Sequence, residues 1–186
     1  QVAKGGGDAR MLLDQTPRGF GAYVRQQLKQ LAQVDEVRRQ REVQELFALL
    51  SVARGALSAE DVEALTELTV WDLQALPWQV TRWFTMREKE DTTTYAFAHS
   101  LLADEFERAL GRQAQKASER LLDYCARWQE HGSPYALQHY AGHLLEAKRY
   151  DELYVLARDR AFLQTQVGTL TNEPYAPLYT LQAALE

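Results

Sequence analysis

His139 and His143 stand four residues apart in SPYALQHYAGHLLEAK, a spacing that puts two imidazoles on one helical face, as zinc ligands would be. The residue after the first histidine is Tyr140, not the glutamate that acts as general base in H-E-x-x-H, and Glu146 is the only third ligand nearby. The pair therefore reads as helix packing, with an HxxxH metalloenzyme kept as a third alternative. Gly5-Gly6-Gly7 lacks the lysine and hydroxyl that a phosphate-binding loop carries after its glycines, and reads as a linker. Cys125 is the single cysteine, with no activating neighbour in LLDYCARW, and no serine stands in a G-x-S-x-G elbow. The acidic runs Glu60-Asp61 and Glu88-Lys89-Glu90-Asp91 read as solvated surface. No catalytic constellation is legible.

One candidate remains, His99 in YAFAHSLLADEF, where an alternating strand pattern gives way to a helix. Two readings stay open. By three- and four-residue spacing its face includes Leu102, Ala103, Phe106 and Leu110, which makes it a core histidine heading an apolar stripe. Alternatively, the helix start presents the imidazole to an anion such as a phosphate, with Ser100 as the capping residue.

The elements that must position this residue follow from periodicity. Thr16 and Pro17 open a first helix carrying Tyr23, Val24, Leu28, Leu31 and Ala32. A second runs from about Val37 to Ala53 with Val43, Leu46, Phe47 and Leu50 inward, and a third starts at the capping box Ser58 to Asp61. A fourth covers about Val70 to Leu76, its Trp71, Leu73 and Leu76 read as packing, and ends before Pro77. Val80 to Arg87 and Thr92 to Ala98 then read as a β-hairpin, joined by the charged link Glu88-Lys89-Glu90-Asp91, and a helix follows from Ser100 to Leu110.

Helices followed by a hairpin are the order of a winged-helix domain, expected at 36–111 after an N-terminal linker and helix at 1–35. From 112 to 186 the pattern is nearly all helical, broken at Gly132-Ser133-Pro134 and Arg149-Tyr150-Asp151. That predicts a hairpin array without a strict repeat. The expected fold is mainly α, with a small β-hairpin wing.

The chain has 186 residues, 46% hydrophobic and 25% charged, enough for a packed core. Its 26 acids against 21 bases argue against general nucleic-acid binding, and the fourth helix offers Asp72 and Gln74 but no Lys or Arg for a groove. A winged-helix DNA-binding regulator is thus the alternative, not the first choice. No apolar run reaches the ~20 residues of a membrane span, so a cytoplasmic setting is expected. The opening Gln1 reads as part of a longer protein.

YAFAHSLLADEF resembles the Met-His-Asp signature of the STAND class of signalling NTPases, matching at His99, Leu101 and Asp104 and differing at Ala98 for Met and Ser100 for Asp. TPRGFGAYVRQQLKQLA is similar to the helix before the winged helix in that class, and SPYALQHYAGHLLEAKRYDELYVLARDRAFLQTQ to its helical connector, so the resemblance covers about residues 15–168. It implies an upstream nucleotide-binding domain that holds ADP or ATP with magnesium, and no cofactor in this chain itself. His99 would contact the β-phosphate of ADP in the closed form, and Ser100 would cap. It also implies a downstream WD-type or tetratricopeptide repeat domain, and a homo-oligomer on activation.

Overall fold

Apolar residues three and four apart make a helix with one face to bury, and the chain follows that pattern from its first described residues. The computed structural model describes residues 19–31, 37–89 and 92–186. Helices α1 (Phe20–Leu31) and α2 (Val37–Val52) come first, and α2 buries Leu46, Phe47 and Leu50 as its spacing requires. Gly5-Gly6-Gly7, Thr16, Pro17, Ala32, Glu90 and Asp91 lie outside the described residues.

After α2 the chain forms β1 (Leu57–Ser58) and α3 (Ala59–Leu65). Both arms of the capping box are made: Ser58 Oγ accepts from the Asp61 N–H, and Asp61 Oδ2 from the Ser58 N–H, each at 3.0 Å. The same device opens α4 (Val70–Gln74), where Thr69 Oγ1 accepts from the Asp72 N–H and Asp72 accepts from the Thr69 N–H. Asp72 is thus a capping group.

The hairpin differs from its sequence reading. Val80 and Thr81 belong to α5 (Trp78–Thr81), which starts after Pro77, and Arg82 follows as its C-cap. Strand β2 begins at Phe84 and runs to Lys89, so Glu88 and Lys89 are ladder residues and not a free link; β3 is Thr92–Phe97. The β-branched pair is overruled by packing: one helical turn puts Val80 into the core at 2% exposure, and strand propensity yields to that burial. Trp71 also departs from expectation. It is 80% exposed while Leu73 is buried, since a five-residue helix has room for one inward position.

The antiparallel sheet has the order β1-β3-β2, with Leu57 opposite Tyr95 and Phe84 opposite Phe97. Strand β1 was absent from the sequence reading because two residues show no period. Beneath the sheet, Phe47 stacks on Phe106 of α6 (Ser100–Leu110) with ring centroids 4.6 Å apart, and Phe84 and Phe97 close around it. Such ring pairs add directional preference to a burial of roughly 150–250 Å² per aromatic.

Helix α7 (Arg112–Ala126) packs against both α2 and the helix α9 (Pro134–Glu146), with the single turn α8 (Trp128–His131) between them. The break before α9 has the expected chemistry: Gly132 takes φ 61°, Ser133 caps, and Pro134 occupies the first turn. Three further helices contact α9, namely α10 (Tyr150–Arg158), α11 (Arg160–Thr169) and α12 (Ala176–Ala183). The segment from Tyr150 was read as one helix, but it divides at Asp159, whose carboxylate accepts from the Ala161 and Phe162 N–H groups and so competes with helix continuation. The described chain is mainly helical with one small antiparallel sheet.

Candidate functional site

His99 does not sit on the α6 stripe. Leu102 and Phe106 are buried as expected, but His99 precedes the helix in extended backbone (φ −153°, ψ 141°) and its side chain is exposed. Its Nδ1 accepts from the Leu101 N–H at 3.1 Å, so the N-cap is His99 and not Ser100. The substitution is chemically natural. Nδ1 occupies the place on the ring that the carboxamide oxygen occupies in asparagine, a preferred cap. An accepting Nδ1 puts the neutral ring's proton on Nε2, where it is available as a donor away from the helix.

Ser100 faces elsewhere. It lines an open cleft of about 500 Å³ between the α2–β1 turn, β3, α6, α7 and α9, whose other polar walls include Arg54, Asp104, Glu107 and Glu146. The two residues are consecutive, yet His99 is not part of this lining. Burial raises the Glu107 carboxyl above its usual range, helped by the negative charges of Glu146 and Asp104.

The other two histidines of interest hold a joint. The Arg54 N–H donates to Tyr135 Oη at 3.0 Å, and the Tyr135 hydroxyl lies 2.8 Å from His143 Nε2. With its oxygen accepting from Arg54, the hydroxyl donates to an unprotonated Nε2. Arg54 also pairs with Glu146 at 3.2 Å, crossing α9 above Gly142, while Gly55 lies against the His139 ring. A Cβ at Gly142 would stand 2.5 Å from Arg54 Nε, so a larger residue there would displace the arginine side chain from its path across α9. Burial, then the Arg54 charge, lowers both His139 and His143 to a pKa of about 4. They are neutral packing residues, and among the described residues no group of three or more His, Cys, Asp and Glu side chains converges to hold a metal ion.

Against protein-family models, curated proteins and solved structures, the chain has no match.

The remaining sequence candidates resolve as packing or surface. Cys125 is fully buried and burial pushes its thiol up to about 12, so it is not a thiolate at neutral pH. A disulfide reagent added to the native protein is expected to leave it unmodified over minutes and to label one thiol on unfolding; fast labelling of the native state would contradict the packing. No helix among the described residues is long and apolar enough to cross a membrane. Sequence reasoning missed two features at the junction of α5 and β2. Arg82 lies over the rings of Trp78 and Trp83, at 5.2 and 4.7 Å from their centroids, and Trp83 Nε1 is the one buried side-chain polar atom without a partner among the described residues. Their signal was the cluster Trp78, Arg82, Trp83, the last two hidden inside an apparent strand.

Proposed function

We propose that the chain is a non-catalytic regulatory and interaction module of a STAND-type signalling ATPase, in a cytoplasmic setting. On this reading residues 36–111 form a winged helix that responds to ADP bound by an upstream nucleotide-binding domain. Residues 112–186 form a helical-hairpin array linking that switch to a downstream repeat domain. The observation that carries the reading is the placement of His99, exposed at the start of α6 with Nδ1 engaged by Leu101 and Nε2–H free to donate. Support for the winged helix comes from the helix order with the β2–β3 hairpin, to which β1 adds a third strand.

The mechanism is a shift between two states. Nucleotide biases the switch only through contacts that differ between the closed and open forms, and an imidazole N–H on the β-phosphate would be one such contact. A hydrogen bond to a charged group contributes about 1.5–3 kcal/mol, so its loss accelerates ADP release by roughly tenfold or more. Magnesium and nucleotide would be held by the upstream domain.

The decisive pair of variants is His99→Ser and His99→Ala, made in the protein carrying its nucleotide-binding domain. Serine keeps a capping oxygen and removes the imidazole, whereas alanine also loses the cap, at a cost of about 1 kcal/mol of stability. Both are expected to release ADP about tenfold faster, with only the alanine variant less stable. Wild-type release rates in both would reject the reading.

A further inference from the structure

Helix α12 is built inside out. Its buried side carries the small residues Ala176 and Thr180, while Leu178, Leu181 and Leu185 stand 58%, 42% and 86% exposed. Buried hydrogen bonds fix that orientation: Gln166 Nε2 of α11 donates to Thr180 Oγ1 at 3.0 Å and to the Leu137 carbonyl of α9 at 2.7 Å. Rolling α12 to bury its leucines would break this connection and leave polar groups unpaired. Leucines at i, i+3 and i+7 form the seam by which one helix packs on another, and a helix apolar on both sides needs cover on both. The last of the three lies in the turn after the helix, which the Leu185 N–H closes on the Gln182 carbonyl at 2.9 Å.

The charge pattern fits a second copy of the same seam. From Pro174 to Leu185 no residue is charged, although 25% of the whole chain is, so two copies can meet without like charges opposed across the contact. An antiparallel pairing brings the two Leu181 side chains together and sets Leu178 of one copy beside Leu185 of the other. It also puts each Glu186 at the N-terminal end of the facing helix, where a carboxylate is favoured, whereas a parallel pairing would bring the two Glu186 together.

We infer that α12 is a homodimer face, through which two copies of this chain pair antiparallel by Leu178, Leu181 and Leu185. With Tyr175 at the N-terminal end of the seam, and roughly 150–250 Å² for a whole aromatic side chain and less for a leucine, each copy offers on the order of 400 Å². Doubled, and with a polar rim added, that comes close to the ~1,000 Å² floor of specific interfaces, so the dimer is weak, with Kd on the order of tens of micromolar. It does not depend on nucleotide contact by His99.

Sedimentation equilibrium of the 186-residue chain from low micromolar to submillimolar concentration is expected to show monomer passing to dimer. Added salt should strengthen the association, since each copy carries a net charge of -5. Leu181→Lys sets two ammonium groups face to face and should raise Kd about tenfold or more, with an unchanged thermal midpoint because the position is exposed. Under mild oxidation a Leu181→Cys chain should crosslink to itself and a Leu101→Cys chain should not, the native Cys125 being buried. A wild type that stays monomeric at submillimolar concentration overturns the inference and leaves the seam to a helix of another protein. A dimer that Leu181→Lys leaves intact, or crosslinking no faster at 181 than at 101, overturns it as well, because the face then lies elsewhere. ADP release from the His99 variants decides the nucleotide reading separately.

Discussion

Resistance to urea is expected to fall steeply as pH drops from 6.5 to 4, because His139 and His143 must become charged inside the joint between the α2–β1 turn and α9. Their folded pKa of about 4 lies below the ordinary value of 6.5. Between these values the unfolded chain binds more protons than the folded one, so stability rises with pH. The histidine contribution is complete above about 6.5 and is lost as pH falls through 4. At 1.36 kcal/mol per pKa unit, complete loss is on the order of 3 kcal/mol for His143 and less for the partly exposed His139.

The groups facing them make the charge hard to accommodate. Arg54 is positive, His139 disfavours protonation of His143, and the Tyr135 hydroxyl loses its acceptor when Nε2 gains a proton. Among the described residues, Glu146 is the carboxylate bonded to Arg54 there. Carboxylates elsewhere also titrate in this range, so the measurement is a difference: urea midpoints of wild type and of His139→Gln/His143→Gln at pH 7 and pH 4.5. The double variant should be less stable than wild type at pH 7 yet show a clearly flatter pH dependence. Parallel curves would mean the two rings do not titrate within the joint.

Asp61→Ala is expected to destabilise the fold by about 3 kcal/mol, from a lost cap of about 1 and a lost buried charge-assisted bond of about 1.5–3. Asp61 is 3% exposed and does two jobs. One oxygen closes the α3 capping box; the other accepts from Tyr124 Oη at 2.6 Å, tying α3 to α7 across 63 residues of sequence. Burial and then this bond raise the phenol far above its ordinary range, so the tyrosine stays the donor. Tyr124→Phe should cost less than Asp61→Ala but more than a surface change, since it leaves a buried carboxylate oxygen without its partner. Denaturant unfolding of both variants checks this. Losses below about 0.5 kcal/mol in each, the range of surface substitutions, would show that the buried bond contributes little.

These two networks mark the boundary of what was readable. Asp61 was recognised as a capping acid from its three-residue spacing to Ser58, a local pattern with a local cause, but reading Glu60-Asp61 as solvated surface was wrong for Asp61, which is buried. Its second partner, Tyr124, was not, because nothing in the sequence near either residue records that α3 and α7 touch. His139 and His143 were placed on one helical face by spacing alone. That they are desolvated beside Arg54 depends on the turn at Gly55 lying against α9.

His99 shows the same division within a single residue. Sequence located the start of α6 to the residue, since the apolar stripe of Leu102 and Phe106 begins there, but it assigned the cap to Ser100 on side-chain preference. An imidazole can also accept an amide proton, and the extended backbone at His99 made that choice. The Ala98 N–H bonds the Trp83 carbonyl, and Arg82, which the β-branched run from Val80 had put in a strand, is instead the C-cap of α5.

By itself the sequence determined most helical segments, the existence of the hairpin, the cap at Ser58, the break at Gly132-Ser133-Pro134 and the chain position of the candidate histidine. All depend on interactions between residues a few positions apart. Tertiary structure alone decided the joining of β1 to β3, the short helix at Trp78, the exposure of Trp71 and of the His99 ring, and the Arg54–Tyr135–His143 joint. Those outcomes depend on which distant surfaces exclude water from one another, a property of packed elements that no local periodicity encodes.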